Sequence, residues 1–257
     1  MNRSRLAALL LILALNGARA ADVPGQHFSI SPASLPKPYA TTAVDNSPQT
    51  IARPTAAMPK VPDGFAVSIF AGNVPHARWM AVAPNGDVFL AESDLGKIVV
   101  LRPSADGMHA ARIVDFAEAY DHPHGLAFAH GALYVADVKS IWRLSYADGQ
   151  LKSTGRRRRI ANTTPAGGVG HFTRDVVFDT KGNLFLTIGS RNNVDEEPLP
   201  NASVEKVNPD GSLSTFASGL RNPVGIAFYP GTNDLFAAVN ERDGLGDNLP
   251  PDYFTYV

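Results

Sequence analysis

The sequence predicts an all-β fold, a β-propeller of four-stranded blades. From residue 63 onward one grammar recurs four times. An apolar strand meets a turn rich in Gly, Asn, Asp or Pro, then a second strand with an aromatic residue near its centre. The copies are WMAVAPNGDVFLAES (79–93), GLAFAHGALYVADV (125–138), DVVFDTKGNLFLTIGS (175–190) and GIAFYPGTNDLFAAVN (225–240). Their aromatic anchors Phe89, Tyr134, Phe185 and Phe236 stand 45, 51 and 51 residues apart. A period of about forty to fifty residues with four strands per unit marks a propeller. No segment beyond residue 20 carries a long helical period.

Residues 1–20 read as a cleaved bacterial-type export signal. Arg3 and Arg5 precede the apolar run Leu6–Leu15, and Ala18-Arg19-Ala20 fits a small-x-small cleavage pattern. The run is too short for a membrane span, so no transmembrane segment is expected after cleavage, and the protein is expected to be periplasmic or secreted. Loss of the signal removes three arginines and takes the formal net charge from -1 to about -4. A mildly acidic exported chain is a poor nucleic-acid binder. With no cysteine there is neither a disulfide framework nor a thiolate metal site.

Residues 21–62 hold eight prolines among Ala, Ser and Thr. Proline cannot donate to a strand ladder and fixes φ, so this arm is expected to be extended rather than packed. The propeller domain then runs over 63–257. Outer strands follow the inner hairpins at KIVVLRPS (97–104), SIWRLSYADGQ (140–150) and SVEKVNPDGSL (203–213). Four anchors imply about four blades, and only about twenty residues follow the fourth hairpin. The expectation is a chain truncated at its C-terminus from a longer, six-bladed protein.

Propeller sites lie where loops at the inner strands converge on the axis. His171 and Arg174 of GHFTRDVVF stand just before one inner strand. Arg221 and Asn222 of GLRNPVGIAF stand in the same place one blade later, with His171 and Arg221 fifty residues apart. A histidine there can take a proton from an alcohol near neutral pH. An arginine offers a planar donor fork to a carboxylate or a quinone oxygen. Two residues capping turn carbonyls would satisfy the same pattern.

Three stretches carry a family resemblance: GLRNPVGIAFYPGTNDLFAAVNERDGLGDNLPPDY, GGVGHFTRDVVFDTKGNLFLTIGS and PHGLAFAHGALYVAD. Together they resemble the soluble quinoprotein glucose and sorbosone dehydrogenases, with RDGLGDNLPPD closest to the sorbosone-type branch. The resemblance covers roughly residues 63–257. It implies a six-bladed propeller that binds pyrroloquinoline quinone (PQQ) and calcium and oxidises a sugar, a sugar-derived aldehyde or another polyol. The electrons would pass on to a periplasmic acceptor. His171 corresponds to the catalytic base, Arg221 to the arginine at the quinone and Asn222 to a neighbouring PQQ contact. Backbone carbonyls of Glu241, Arg242 and Asp243 would hold calcium, in a loop where Asn240, Asp247 and Asn248 add oxygen atoms. Val224 stands where the glucose enzymes carry a glutamine that contacts PQQ. Their later lysine and arginine contacts fall past residue 257.

Two other readings are open. One is a non-catalytic binding propeller of the NHL kind. The other is a metal-dependent lactonase, which needs acidic and amide side chains converging on one ion. Arg156–Arg159 reads as a solvated loop between blades. Asp121, His122 and His124 of DHPHG read as pocket lining or turn packing rather than a metal cluster. Asn162 and Asn201 head glycosylation-type triplets that mean little in bacterial export. Glu92 and Asp137, at inner-strand ends, are candidates to line a substrate channel.

Overall fold

A computed structural model describes residues 26–257 except 28, 45–48, 55–56, 165–167 and 248. The export-signal reading, Gly167 and Asn248 lie outside the described residues. The described residues up to Leu35 belong to a first unit, which holds a 3₁₀ turn, Pro32–Ser34, capped by the Ser31 side chain. The second unit, Pro36–Val257, contains the four blades.

Each blade is an antiparallel meander. The first contains β1 (Ala77–Val82), β2 (Val88–Glu92), β3 (Lys97–Pro103) and β4 (Ala110–Ala117). The second contains β5 (Gly125–Ala129), β6 (Ala132–Ala136), β7 (Ser140–Ser145) and β8 (Arg158–Asn162). The third contains β9 (Val176–Phe178), β10 (Leu184–Ile188), β11 (Ser203–Val207) and β12 (Leu213–Ser218). The fourth has β13 (Asn222–Phe228), β14 (Leu235–Asn240) and β15 (Tyr253–Tyr256). The innermost strands β1, β5, β9 and β13 pack in sequence against one another, as blades around an axis must. The tight inner hairpins need a residue at positive φ, which Gly86 and Gly182 supply.

The repeated aromatic does the same job in the first three blades. Phe89 of β2 meets Phe128 of β5 edge-to-face at 5.0 Å. Tyr134 of β6 meets Phe178 of β9 at 4.9 Å, and Phe185 of β10 meets Phe228 of β13 at 5.5 Å. Every pair joins one blade's second strand to the next blade's innermost strand. The three apolar clusters between blades form around these pairs. Edge-to-face rings add about 0.5–1.5 kcal/mol each beyond the area they bury, so the aromatic period of the sequence is the period of the blade interfaces. Phe236, in the last sheet, instead stacks within it on Phe254 of β15 at 5.3 Å. At the two ends of the row, Met80 and Val82 on β1 and Phe254 and Tyr256 on β15 are exposed.

Three sequence expectations need correction. Arg158 and Arg159 belong to β8 rather than a loop. Arg157 is half-buried and engaged rather than free in solvent: its guanidinium lies 4.4 Å from the Tyr120 ring and 4.5 Å from the Trp142 ring, and donates to the carbonyls of Glu118 and Ala119. The Pro-rich arm forms no strand among its described residues, which include turns, and part of it is docked within the second unit. Tyr39 N–H donates to the Leu245 carbonyl, Val44 N–H donates to Asp247 Oδ1, and the Thr41 hydroxyl accepts from Asp247 N–H. Asp137 lines no channel. It is buried, and its carboxylate accepts from the N–H groups of Asp121, Lys139 and Ser140 and from the Trp142 indole. Glu92 is buried too, and burial raises its pKa.

Candidate active site

The chain enters β9 through Gly168–Asp175, and His171 stands in that approach, half-buried. Its N–H donates to the Ser190 carbonyl at 3.0 Å, and its Nδ1 lies 2.7 Å from the same carbonyl oxygen. A carbonyl can only accept, so Nδ1 carries the hydrogen of the neutral ring. In that tautomer the lone pair is left on Nε2, where a general base needs it. Ser190 Oγ, 3.2 Å from Nδ1, reinforces the orientation.

Ser190 also reaches the next blade, where its N–H donates to the Arg221 carbonyl at 2.7 Å. One residue at the end of β10 thereby ties the approach to β9 to the start of β13. The Arg221 guanidinium is almost wholly buried. Its Nη2 donates to Asn193 Oδ1 at 2.7 Å and to Asp243 Oδ2 at 2.9 Å, and its Nε to the Asn193 carbonyl at 3.3 Å. Asn193 and Asp243 brace each other through two further bonds of 2.8 Å. The fork is held rigidly by one edge, and Nη1 has no hydrogen bond among the described residues.

Asn222 is buried, and its Oδ1 has no partner among the described residues. Gly189 explains how it comes so near His171. A β-carbon there would lie 2.5 Å from Asn222 Oδ1 and 2.6 Å from His171 Cβ. Only a residue without a side chain lets the two come together. His171 and Asn222 thus stand together, and Ser190 ties the Arg221 backbone to them while the Arg221 guanidinium reaches toward Asn193 and Asp243.

Arg174 is not part of that group. It is fully buried behind it, with Nη1 donating to the carbonyls of His171 (3.2 Å) and Thr173 (2.6 Å). Desolvation draws its pKa down to about 10. It holds the backbone turn that carries His171. Of DHPHG, His122 is exposed beside Asp121, whereas His124 is fully buried and stacked on Trp79 at 5.0 Å.

The loop after β14 has most of its side-chain oxygens engaged. Asp243 pairs with Arg221, Glu241 with Arg242, and Asp247 accepts from Val44 N–H. The Asp243 carbonyl accepts from Asn193 Nδ2. The Glu241 and Arg242 carbonyls accept no hydrogen bond from any described residue. Among the described residues no three His, Asp or Glu side chains are placed to hold a metal ion. A calcium ion here would therefore rest on backbone oxygens.

Beside this group lies a pocket of about 330 Å³ between the third and fourth blades, walled by Ser190, Arg221, Arg242, Asn193, Glu197 and Asn201 among others. Sequence reasoning missed Gly189, Ser190 and Asn193. Gly189 and Ser190 sit at the tail of the third repeat, so the repeat alignment itself was the available signal. Asn193 acts through a loop contact fifty residues away, which no spacing rule discloses.

A family model described as TrAA12-like matches residues 59–249. The chain belongs to the TrAA12-like family. This TrAA12-like chain is 28% identical over 209 residues to an uncharacterized protein of Borreliella burgdorferi, a match covering 77% of this chain and 53% of that protein. It spans about half the length of that relative. Among solved structures, it is similar to the holo form of the pyranose dehydrogenase PQQ domain from Coprinopsis cinerea. That match has a TM-score of 0.61 at 20% identity, over 72% of this chain and 48% of the other. It is also similar to the calcium structure of the family AA12 carbohydrate-active enzyme of Trichoderma reesei. There the TM-score is 0.64 at 18% identity, over 77% of this chain and 56% of the other. At these identities the likeness is one of fold: the TrAA12-like chain shares the propeller of PQQ-dependent sugar dehydrogenases.

Proposed function

We propose that this TrAA12-like propeller provides the substrate-activating wall of a PQQ-dependent oxidoreductase. Its substrate is a sugar, a sugar-derived aldehyde of the sorbosone kind, or another polyol. One observation carries the reading: Ser190 and Gly189 hold a histidine with a fixed Nδ1–H together with a braced arginine and an unpartnered buried amide oxygen. A fold alone does not need that combination.

The residues fit a PQQ-calcium pair in kind. Arg221 would offer its Nη1 edge to the group, Asn222 Oδ1 lacks a partner among the described residues, and the Glu241 and Arg242 carbonyls, which accept from none of those residues, would suit a hard cation. When bound, PQQ supplies the acceptor for the hydride that leaves the substrate carbon, with calcium polarising it. His171 takes the hydroxyl proton at Nε2, and the Ser190 carbonyl steadies the Nδ1–H of the imidazolium that results. Arg221 places fixed positive charge where negative charge grows, and its network with Asn193 and Asp243 spares it any reorganisation. The lactonase reading is less well supported, because the converging ligand set it needs is not found among the described residues. We place the protein in the periplasm or outside the cell, passing electrons to an acceptor in that compartment.

The test is reconstitution of the full chain with PQQ and calcium, followed by dye reduction with aldoses, sorbosone and alditols. PQQ uptake with turnover on one of these is the expected result. Absence of both overturns the proposal.

A further inference from the structure

Residues 39–44 of the arm lie on the loop that follows β14. Tyr39 N–H donates to the Leu245 carbonyl at 2.6 Å, Asp247 N–H donates to Thr41 Oγ1 at 3.0 Å, and Val44 N–H donates to Asp247 Oδ1 at 2.9 Å. Between these bonds Gly246 faces Thr41 so closely that a β-carbon would come within 3.1 Å of the hydroxyl. The last two bonds span 206 and 203 residues of sequence, so closing them costs chain entropy that a local turn does not. Apolar burial does not meet that cost, because Tyr39 and Val44 are exposed. Hydrogen bonds hold the arm in place. Tyr39 also sits at φ +64°, a left-handed conformation that is an outlier for a bulky side chain. Strain of this kind persists only where the surrounding structure fixes it, and Tyr39 makes the shortest of the three bonds.

The loop needs an outside hold. Gly244 and Gly246 both lie at positive φ, +78° and +131°, and glycine leaves an untied chain the widest choice of conformations. The first half of the loop is tied to the blades. Glu241 N–H donates to Asp252 Oδ1, and Asp243 shares two bonds of 2.8 Å with Asn193. Among the described residues, 244–247 hydrogen-bond only to the arm. Asp243 stands at the junction of the two halves. It pairs with Arg221 at 2.9 Å, yet its side chain is 84% exposed, so packing does not place it.

We propose that residues 39–44 are a strap that holds the 241–247 loop in the arrangement in which Asp243 braces Arg221, with Thr41 as a positioning residue. Thr41 acts through Gly246 and Asp247. The inference rests on the oxidoreductase reading for its effect on PQQ, and the hold on the loop stands without that reading.

The experiment follows hydrogen–deuterium exchange of the full chain, in overlapping fragments that separate the Asp243 amide from that of Asp247. The variants are Thr41→Val, Thr41→Ser and Tyr39→Pro. Valine keeps the shape of threonine and removes the acceptor, and serine restores it. Proline removes the Tyr39 N–H and cannot reach a positive φ. Circular dichroism confirms that each variant folds. Thr41→Val and Tyr39→Pro should each speed exchange at Asp243 about three- to tenfold, the net worth of one hydrogen bond. Thr41→Ser should stay within twofold of wild type, and exchange in β10 should not change in any variant. PQQ uptake in the presence of calcium is titrated separately by absorbance. Its dissociation constant should rise by a similar factor in Thr41→Val and Tyr39→Pro, but not in Thr41→Ser. The strap is overturned if Asp243 exchange in Thr41→Val and Tyr39→Pro stays within twofold of wild type. It is equally overturned if exchange rises alike in the loop and in β10, which is general destabilisation, or if PQQ binds every variant with equal strength. If wild type takes up no PQQ, the oxidoreductase reading falls, and exchange at Asp243 alone decides the strap.

Discussion

His171 and Asn222 meet across Gly189, whose missing side chain leaves a space in which a β-carbon would sit 2.6 Å from one and 2.5 Å from the other. The approach is a packing requirement, not one of backbone conformation, since Gly189 is not among the glycines at positive φ. Gly189→Ala must therefore push one of the two aside. Overpacking of this kind costs about 1–3 kcal/mol, which lowers the melting temperature by a few degrees or more. PQQ uptake should fall with it. Gly72→Ala is the control, as a β-carbon there meets nothing within 4 Å, and it should change neither quantity. Equal behaviour of the two variants would show that the close approach has no role.

His171→Ala removes the proton acceptor but leaves the Arg221 network intact, because that network runs through Asn193 and Asp243. Turnover of the PQQ-loaded protein should drop by about 10²–10⁴-fold, the usual worth of a general base, with PQQ uptake little changed. A loss below tenfold would assign His171 to structure.

The blade interfaces were legible in the sequence because one aromatic per repeat makes each of them, and a large ring at fixed spacing is visible without a structure. The fourth strands were not. β4 and β12 each turn one face inward but bury little of it, Phe116 apart, and their sequences AARIVDFA and LSTFAS put exposed Ile113 and Phe216 on the outer face, which blurs the alternation that marks a half-buried strand. His171 and Arg221 could be paired because both precede an innermost strand, and the period carries one onto the other. The bracing of Arg221 by Asn193 and Asp243 depends on loops between strands. Loops have no period, and their contacts cross from one blade to the next.

Arg157 joins the first two blades by lying between Tyr120 and Trp142 while donating to two carbonyls of the first blade. Burial has pushed the Tyr120 hydroxyl up to about 12, so the ring beside the guanidinium stays neutral. Arg157→Ala should destabilise by about 1–2 kcal/mol, summing a half-exposed cation–π contact and its hydrogen bonds. Arg157→Lys should recover little, since a point ammonium cannot stack and serve two carbonyls at once. Denaturant midpoints measure both. Full recovery by lysine would reduce the contact to simple charge.

Two groups near the axis set opposing pH slopes. Burial, aided by Arg78 and Arg174, pulls the His124 pKa from 6.5 to about 3. Between those values the unfolded chain binds a proton that the folded chain does not, so His124 takes stability away as pH falls through that window. Burial pushes Asp175 from 3.8 to about 7, although its carboxylate accepts from the N–H groups of Val176 and Ile226. There the folded chain keeps a proton that the unfolded chain has lost, so stability falls as pH rises toward 7. Each shift of about three units is worth at most ~4 kcal/mol. Over pH 4–6.5 the two slopes nearly cancel. His124→Phe should therefore lose stability steadily as pH rises from 4.5 to 6.5, and Asp175→Asn should gain it, with wild type close to flat between them. Contributions common to all three proteins, such as that of Glu92, drop out of the differences. Guanidinium midpoints at three pH values decide the matter, and parallel profiles for both variants would remove the proposed opposition.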